Sequence, residues 1–269
     1  MEISSQIFNL IATIIMFILG ASMGSFVNAT AMRTVAEKKW WGGERSACDH
    51  CGAALQTRDL IPLVSYIFLR GKCRVCGGRI ARRHFVAELA SALLTAGLFL
   101  RWGLTPALGM SLAILWFSLF NSLTDLDNGY IYDLWAVALG VLGMAIRVTG
   151  GLPALIDGAI GGAVGFGVIA LIILLSRGGM GWGDAMLMLG IGAAAGWRYC
   201  ALSLYLGFLC GGVVVVPLLL TKKLKRKDAV PLGPFLAAGS VLTLFIGDAL
   251  LARLAALTGR LAGWPWSGM

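Results

Sequence analysis

The chain has 269 residues, of which 58% are hydrophobic and only 13% charged, at a mean hydropathy of +0.84. This balance excludes an ordinary soluble domain and describes a polytopic membrane protein. The net charge of +9 reads as membrane orientation, because excess Lys and Arg collect in cytoplasmic loops, and no nucleic-acid partner is expected.

The first apolar run, about 7–29, is long enough to cross ~30 Å of hydrocarbon at 1.5 Å per residue. It lacks the basic n-region of a cleavable signal and is expected to remain as a helix. Polarity then changes abruptly. Between 33 and 84 the chain carries eleven Lys or Arg against four acids, Glu37, Glu44, Asp49 and Asp59. Further spans are expected at about 85–100, 104–123, 131–148, 153–175, 185–195, 199–220 and 234–251. The sixth span is short and rich in Gly and Ala, and Gly161 and Gly165 in the fifth form a small-xxx-small pair suited to close helix packing. The expected architecture is all-α: a first transmembrane helix in 1–32, a cytoplasmic zinc-ribbon-like insert in 33–84, and a seven-helix membrane domain in 85–269, about eight transmembrane helices in total.

With the insert in the cytoplasm, seventeen basic residues fall on that side, among them Arg177, Lys222, Lys223, Lys225, Arg226 and Lys227. The other side receives five, Arg101, Arg147, Arg198, Arg253 and Arg260. The positive-inside rule therefore selects this topology, with both termini outward. The segments 121–133 and 178–184 then share the cytoplasmic side, where their acids can meet.

Within the insert, Cys48-x-x-Cys51-Gly52 and Cys73-x-x-Cys76-Gly77 have the form of two zinc knuckles, the glycine allowing a tight turn that aims amides at thiolate sulfur. Four thiolates close a tetrahedral shell, so the zinc is read as structural. Disulfides, an iron–sulfur cluster or a redox pair are the alternatives, and a reducing compartment favours zinc. His50 stands inside the first knuckle as a further candidate ligand. Cys200 and Cys210 read as small core hydrophobes.

Three acids, Asp125, Asp127 and Asp133, surround the end of the third span. Asp127, beside Asn128-Gly129, has turn chemistry. Asp125 and Asp133 stand nearer the helix ends, and Asp125 is the better partner for a fourth acid, Asp184, in Gly181-Trp182-Gly183-Asp184. Charge at the rim of a membrane helix is costly and usually lines a wet or protein-lined site. Glycines 178, 179, 181 and 183 leave backbone bare for an extended peptide to pair with, although a simple helix-capping role for Asp184 is the plainer alternative. Two carboxylates forced together share a proton, so one can act as general base on water while the other hydrogen-bonds a peptide carbonyl.

These residues resemble the type IV prepilin peptidases, bacterial GxGD aspartyl proteases. The resemblance runs through Gly24-Ser25-Phe26-Val27-Asn28 and Arg33, the insert from Cys48 through Asp59-Leu60-Ile61-Pro62 to Glu88-Leu89, Asp125 placed eight residues before Asp133, and the Gly181-x-Gly183-Asp184 motif. It implies an enzyme of the bacterial inner membrane, facing the cytoplasm, with Asp125 and Asp184 catalytic. Its substrates would be prepilins or pseudopilins, cut typically after a glycine. It also implies S-adenosylmethionine-dependent N-methylation of the new N-terminus, an activity that the zinc-bearing insert accompanies in the family. Tyr132 stands where the family often has Pro, and Met186 where it often has Lys. Glu88 can pair with Arg82, Arg83 or His84, or touch the methyl donor. The rival readings are a methyltransferase without protease activity and a zinc-bearing membrane scaffold of pilus or secretion assembly.

Overall fold

In hydrocarbon a backbone amide or carbonyl has no water to bond, so apolar runs of this length close their hydrogen bonds internally as helices. A computed structural model of the chain describes residues 2–39, 45–176, 180–225 and 230–258. Glu44, Arg177, Gly178, Gly179, Arg226, Lys227 and Arg260, which entered the charge count or the bare-backbone reading, lie outside the described residues. Six stretches, Gln6–Val35, Arg82–Trp102, Pro106–Asn128, Asp133–Leu175, Trp197–Leu220 and Gly233–Leu254, are long and apolar enough to cross a membrane. The stretch Asp133–Leu175 holds two helices, and a shorter apolar helix covers Trp182–Ala195. The protein is thus an all-α multi-pass membrane protein. Among the described residues no strand forms, only two isolated bridges in the insert.

The chain divides into two compact units, 1–103 and 104–269. The first contains α1 (Glu2–Val35), the short α2 (Val64–Phe68) and α3 (Arg82–Trp102). Helices α1 and α3 lie almost backbone to backbone. A Cβ at Gly20 would fall 2.7 Å from the Ser91 carbonyl oxygen, and one at Gly24 would fall 2.8 Å from that of Ala87. The opposite face of α1 exposes Ile7, Ile11, Ile14, Ile15 and Ile18, as a lipid-facing surface should.

The second unit contains α4 (Pro106–Asn128), α5 (Asp133–Arg147), α6 (Gly151–Leu175), α7 (Trp182–Ala195), α8 (Trp197–Leu220) and α9 (Gly233–Thr258). Helix α4 begins with Pro at its first position and ends on Gly129, which takes the left-handed conformation at φ 71° and donates its amide to the Asp125 carbonyl. It therefore continues five residues past its apolar run, and Asp125 lies inside a helix, not after one. A helix stops where its caps permit, which need not be where hydropathy falls.

Helix α7 is the centre of this unit. It contacts α4, α5, α6, α8 and α9, and Asp184, Ala185, Leu187, Met188 and every residue from Gly190 to Ala195 are buried. Cβ atoms at Gly161, Gly165 or Gly192 would overlap backbone across the α6–α7 crossing, and one at Gly190 would overlap the Ala136 carbonyl of α5. Its Gly and Ala content is thus a packing requirement of a helix enclosed by other helices. At one end the fully buried Arg147 ties three helices together. Its guanidinium donates to the carbonyls of Ala194 at 3.0 Å and Ala154 at 2.9 Å, and pairs with Asp157 at 2.9 Å.

Candidate active site and metal centre

The acid pair is built at the other end of α7. Gly181 is the N-cap and Asp184 lies in the first turn, at the third helical position. One of its oxygens leans back toward the Gly181 amide, which is half of a capping box. Capping accounts for that oxygen only. Asp184 Oδ1 is buried with no hydrogen-bond partner, an arrangement that costs about 1–3 kcal/mol unless something else meets the oxygen. On α4, Asp125 is equally buried, each acid being 7% exposed, and its Oδ2 accepts the Gly233 amide at 2.9 Å.

The two carboxylates are close enough for the charge on Asp125 to act on Asp184. Ile131 sits between their supports. A Cβ at Gly183 would fall 2.7 Å from Ile131 Cβ, and one at Gly233 would fall 3.2 Å from Ile131 Cδ1 and 2.8 Å from Asp125 Oδ2. The structure therefore brings together Asp125 and Asp184, which are 59 positions apart in the chain. Asp127 and Asp133 are exposed, as expected for an acid on the outer side of a helix end and one in the first turn of α5. The expectation that Gly183 is left bare for a peptide is not met. That position is filled against Ile131, while Gly181, the other described glycine of the four, has extended backbone at φ −79° and ψ 144°.

Sequence reasoning missed Gly233. The signal available was Pro231-Leu232-Gly233-Pro234, which punctuates the start of α9. Punctuation, however, marks a helix boundary without saying what its amide will meet.

In the first unit the insert folds as two near-identical turns. Cys48 donates its amide to the Ala53 carbonyl and receives that of Gly52 at 2.8 Å. Cys73 does the same with Gly78 and Gly77, at 2.8 and 2.9 Å. Gly52 and Gly77 have φ of 68° and 69°, a region that glycine enters without penalty. The four sulfurs of Cys48, Cys51, Cys73 and Cys76 lie within 4.8 Å of one another, and Cys48 Sγ is 3.9 Å from Cys76 Sγ. Tetrahedral zinc with bonds of about 2.3 Å requires sulfurs about 3.8 Å apart, so the cluster fits such an ion.

The amides of Cys76 and Val75 draw the Cys73 thiol down to about 7. Cys76 is helped by the Gly78 amide but is pushed up to about 11 by its sulfur neighbours, Cys51 first, and by desolvation. A thiol about half ionised at neutral pH is easier for a cation to deprotonate than an ordinary one. His50 Nε2 bonds the Arg79 carbonyl at 3.1 Å, so that nitrogen ties one knuckle to the other. Arg74 and Asp59 pair at 2.8 Å, and the Arg74 guanidinium holds the Asp59 carboxyl below its usual range.

Of the three basic partners expected for Glu88, His84 feels its charge, while the hydrogen bond goes to a backbone group. Glu88 Oε2 accepts the Leu63 amide at 2.8 Å, fixing a turn in which Leu63 has φ 62°. Asn28 is 1% exposed and stands between two basic side chains of α3. Arg83 Nε donates to its Oδ1 at 2.8 Å, and its Nδ2 lies 2.9 Å from His84 Nδ1. Because a guanidinium only donates, the amide oxygen of Asn28 must face Arg83. Its NH2 must then face His84, whose Nδ1 accepts and whose proton sits on Nε2.

These features define a multi-pass membrane protein with a buried acid pair at the end of its central helix and a four-thiol cluster in a polar insert. Residues 18–102 match the bacterial peptidase A24 N-terminal domain, and residues 112–216 match the type IV leader peptidase family. The chain is 31% identical to the prepilin leader peptidase/N-methyltransferase of Burkholderia pseudomallei strain K96243, over 86% of this chain and 84% of the relative. Proteins of the same name from Bacillus subtilis strain 168 and Pseudomonas aeruginosa are 30% and 32% identical, over 88% and 86% of this chain and 96% and 89% of their own lengths. The chain belongs to the type IV leader peptidase family. No solved structure matches it.

Proposed function

We propose that the chain cleaves the leader from type IV prepilins and pseudopilins at the cytoplasmic face of the bacterial inner membrane, with Asp125 and Asp184 as the carboxylate pair that activates water. The observation that carries this is the pair itself: two acids on separate helices, both buried and within reach of each other's charge. Like charges this close resist double ionisation, so the pair holds one proton between its two members. The ionised carboxylate takes a proton from water as the oxygen attacks the scissile carbonyl, and the protonated one donates to the carbonyl oxygen. Collapse of the tetrahedral species returns a proton to the leaving amine, which balances the hydrolysis. Asp125 is the fixed member, anchored by the Gly233 amide, and Asp184, whose buried Oδ1 has no hydrogen-bond partner, is the member with an oxygen left to bond the reacting water.

The second activity is methylation of the amine that cleavage exposes. S-adenosylmethionine supplies an electrophilic methyl group on a sulfonium when bound. Cys48, Cys51, Cys73 and Cys76 would hold a zinc ion that is structural, because four thiolates leave no open position.

Asp125→Asn and Asp184→Asn should each abolish cleavage of a prepilin while the protein stays inserted and helical. Normal processing by either variant refutes the assignment. Mass spectrometry of the product with and without S-adenosylmethionine reads cut and methyl group separately.

A further inference from the structure

Helix α2 of the insert is apolar on its outer side, where a loop in water would be polar. It turns Ser65 and Tyr66 inward, onto a cavity shared with α1, α3 and the knuckles, and Tyr66 stacks there on Phe85 with ring centroids 5.0 Å apart. The other side exposes Val64, Ile67 and Phe68, which follow the i, i+3, i+4 spacing of a single helical face. Ile67 is 62% exposed and Phe68 82%. Leu60 and Ile61, just before the helix, are exposed too, so the face belongs to a contiguous apolar patch, which marks an interaction site.

The packing of Leu63 sets the depth of this patch. Leu63 is buried with Ala21 of α1 and Ala92 of α3, and Phe17, Phe85 and Leu89 pack around them. Helix α3 has 21 residues, about 31 Å at 1.5 Å per residue, which is one hydrocarbon thickness. Its first residue, Arg82, therefore stands near the hydrocarbon boundary, and Ala92 lies about 15 Å further in. A side chain packed on Ala92 reaches beneath the headgroups. We propose that segment 60–68 is a re-entrant membrane anchor, with Val64, Ile67 and Phe68 against the acyl chains of the leaflet on the insert's side.

Three observations favour lipid as the occupant. Phe17, which packs against the Leu63 cluster, shares a face of α1 with the exposed Ile14 and Ile18, so the patch adjoins a surface that already faces lipid. Arg58 before the segment and Arg70 and Lys72 after it are exposed, and their long side chains can carry charge up to anionic headgroups. Irregular backbone is tolerated at this depth only where the protein satisfies it. Here the Leu63 amide is taken by Glu88, and the Ser65 and Ile67 amides by the carbonyls of Ile61 and Leu63, each at 3.0 Å. The anchor also restrains the thiol cluster. Five residues separate Phe68 from Cys73 and span at most about 18 Å, so the second knuckle stays at the membrane surface.

The test is photo-cross-linking of the full-length, zinc-loaded protein in vesicles of phosphatidylethanolamine and phosphatidylglycerol, with p-benzoylphenylalanine in place of Phe68 and, separately, of Ile14 as the lipid-facing reference. Zinc content and thermal midpoint should match the parent's, and Ile67 is the substitute position if the Phe68 replacement fails to fold. Mass spectrometry should find adducts to lipid chains at position 68 with at least a third of the yield at position 14. A smaller yield, or adducts to protein instead of lipid, overturns the anchor. Arg70→Gln with Lys72→Gln should lower the lipid yield at position 68 at least twofold in these vesicles and leave it unchanged in phosphatidylcholine alone; equal losses in both overturn the headgroup contact.

Discussion

Replacing Gly233 by alanine tests the acid pair without altering either acid. Gly233 has no positive φ, so the new side chain carries no backbone penalty and acts only through what it meets. The added Cβ would lie 2.8 Å from Asp125 Oδ2 and 3.2 Å from Ile131 Cδ1. The isoleucine methyl can swing aside. The carboxylate oxygen is held at 2.9 Å by the amide of the same residue, so it cannot retreat without losing that bond. A hydrogen bond to a charged group is worth about 1.5–3 kcal/mol, which corresponds to a loss of about 10- to 150-fold in rate. The loss should fall on kcat, with KM nearly unchanged, because the amide touches the acid and not the leader peptide. Timed cleavage of a purified prepilin, resolved by mass, measures it, and a thermal melt of the same preparation reports folding. Wild-type kcat in Gly233→Ala would refute the claim that this amide positions Asp125.

Arg147→Ala should lower stability by about 3–5 kcal/mol, because it removes the partner of Asp157 and leaves the carbonyls of Ala154 and Ala194 without their donor; a thermal midpoint equal to the parent's would contradict this. Gly165→Leu forces a side chain onto the Met188 carbonyl of α7 and should destabilise by at least about 1–3 kcal/mol, measured in the same melt. Zinc should be lost on the acid side only, since protons compete for sulfur. A depressed thiol pKa favours the thiolate at and above that pKa and surrenders it below, so Cys73, at about 7, should take up a proton later than Cys76, at about 11. Metal content followed from about pH 8 to about pH 4 checks this, and zinc retained in full at the acid end would argue against four thiolate ligands.

Much of the fold is legible in the residues. Long apolar runs admit only helices in a membrane, and the two C-x-x-C-G turns announce a cluster before any coordinates exist. What escapes is set by tertiary contact. Helix α7 is short and rich in small residues because other backbones press on it, and hydropathy reads such a helix as weak. The Asp125–Gly233 bond joins residues 108 positions apart, a distance over which no local pattern carries information. The Glu88–Leu63 and Asn28–His84 contacts are of the same kind. Proximity on α3 points Glu88 to His84, which does feel its charge, but its hydrogen bond goes to a backbone amide, which every residue but proline possesses.

The enclosure of α7 has a consequence for how this protein tolerates change. At 14 residues, or about 21 Å long at 1.5 Å per residue, the helix meets neighbouring main chains at Gly190 and Gly192 and across from Gly161 and Gly165, where only hydrogen is small enough to sit. A random library should therefore be nearly silent along this helix and permissive on the outward sides of α1 and α8. Within the second unit, thicker or thinner bilayers would be absorbed by the exposed side of α8, leaving the enclosed helix and its acidic tip unmoved.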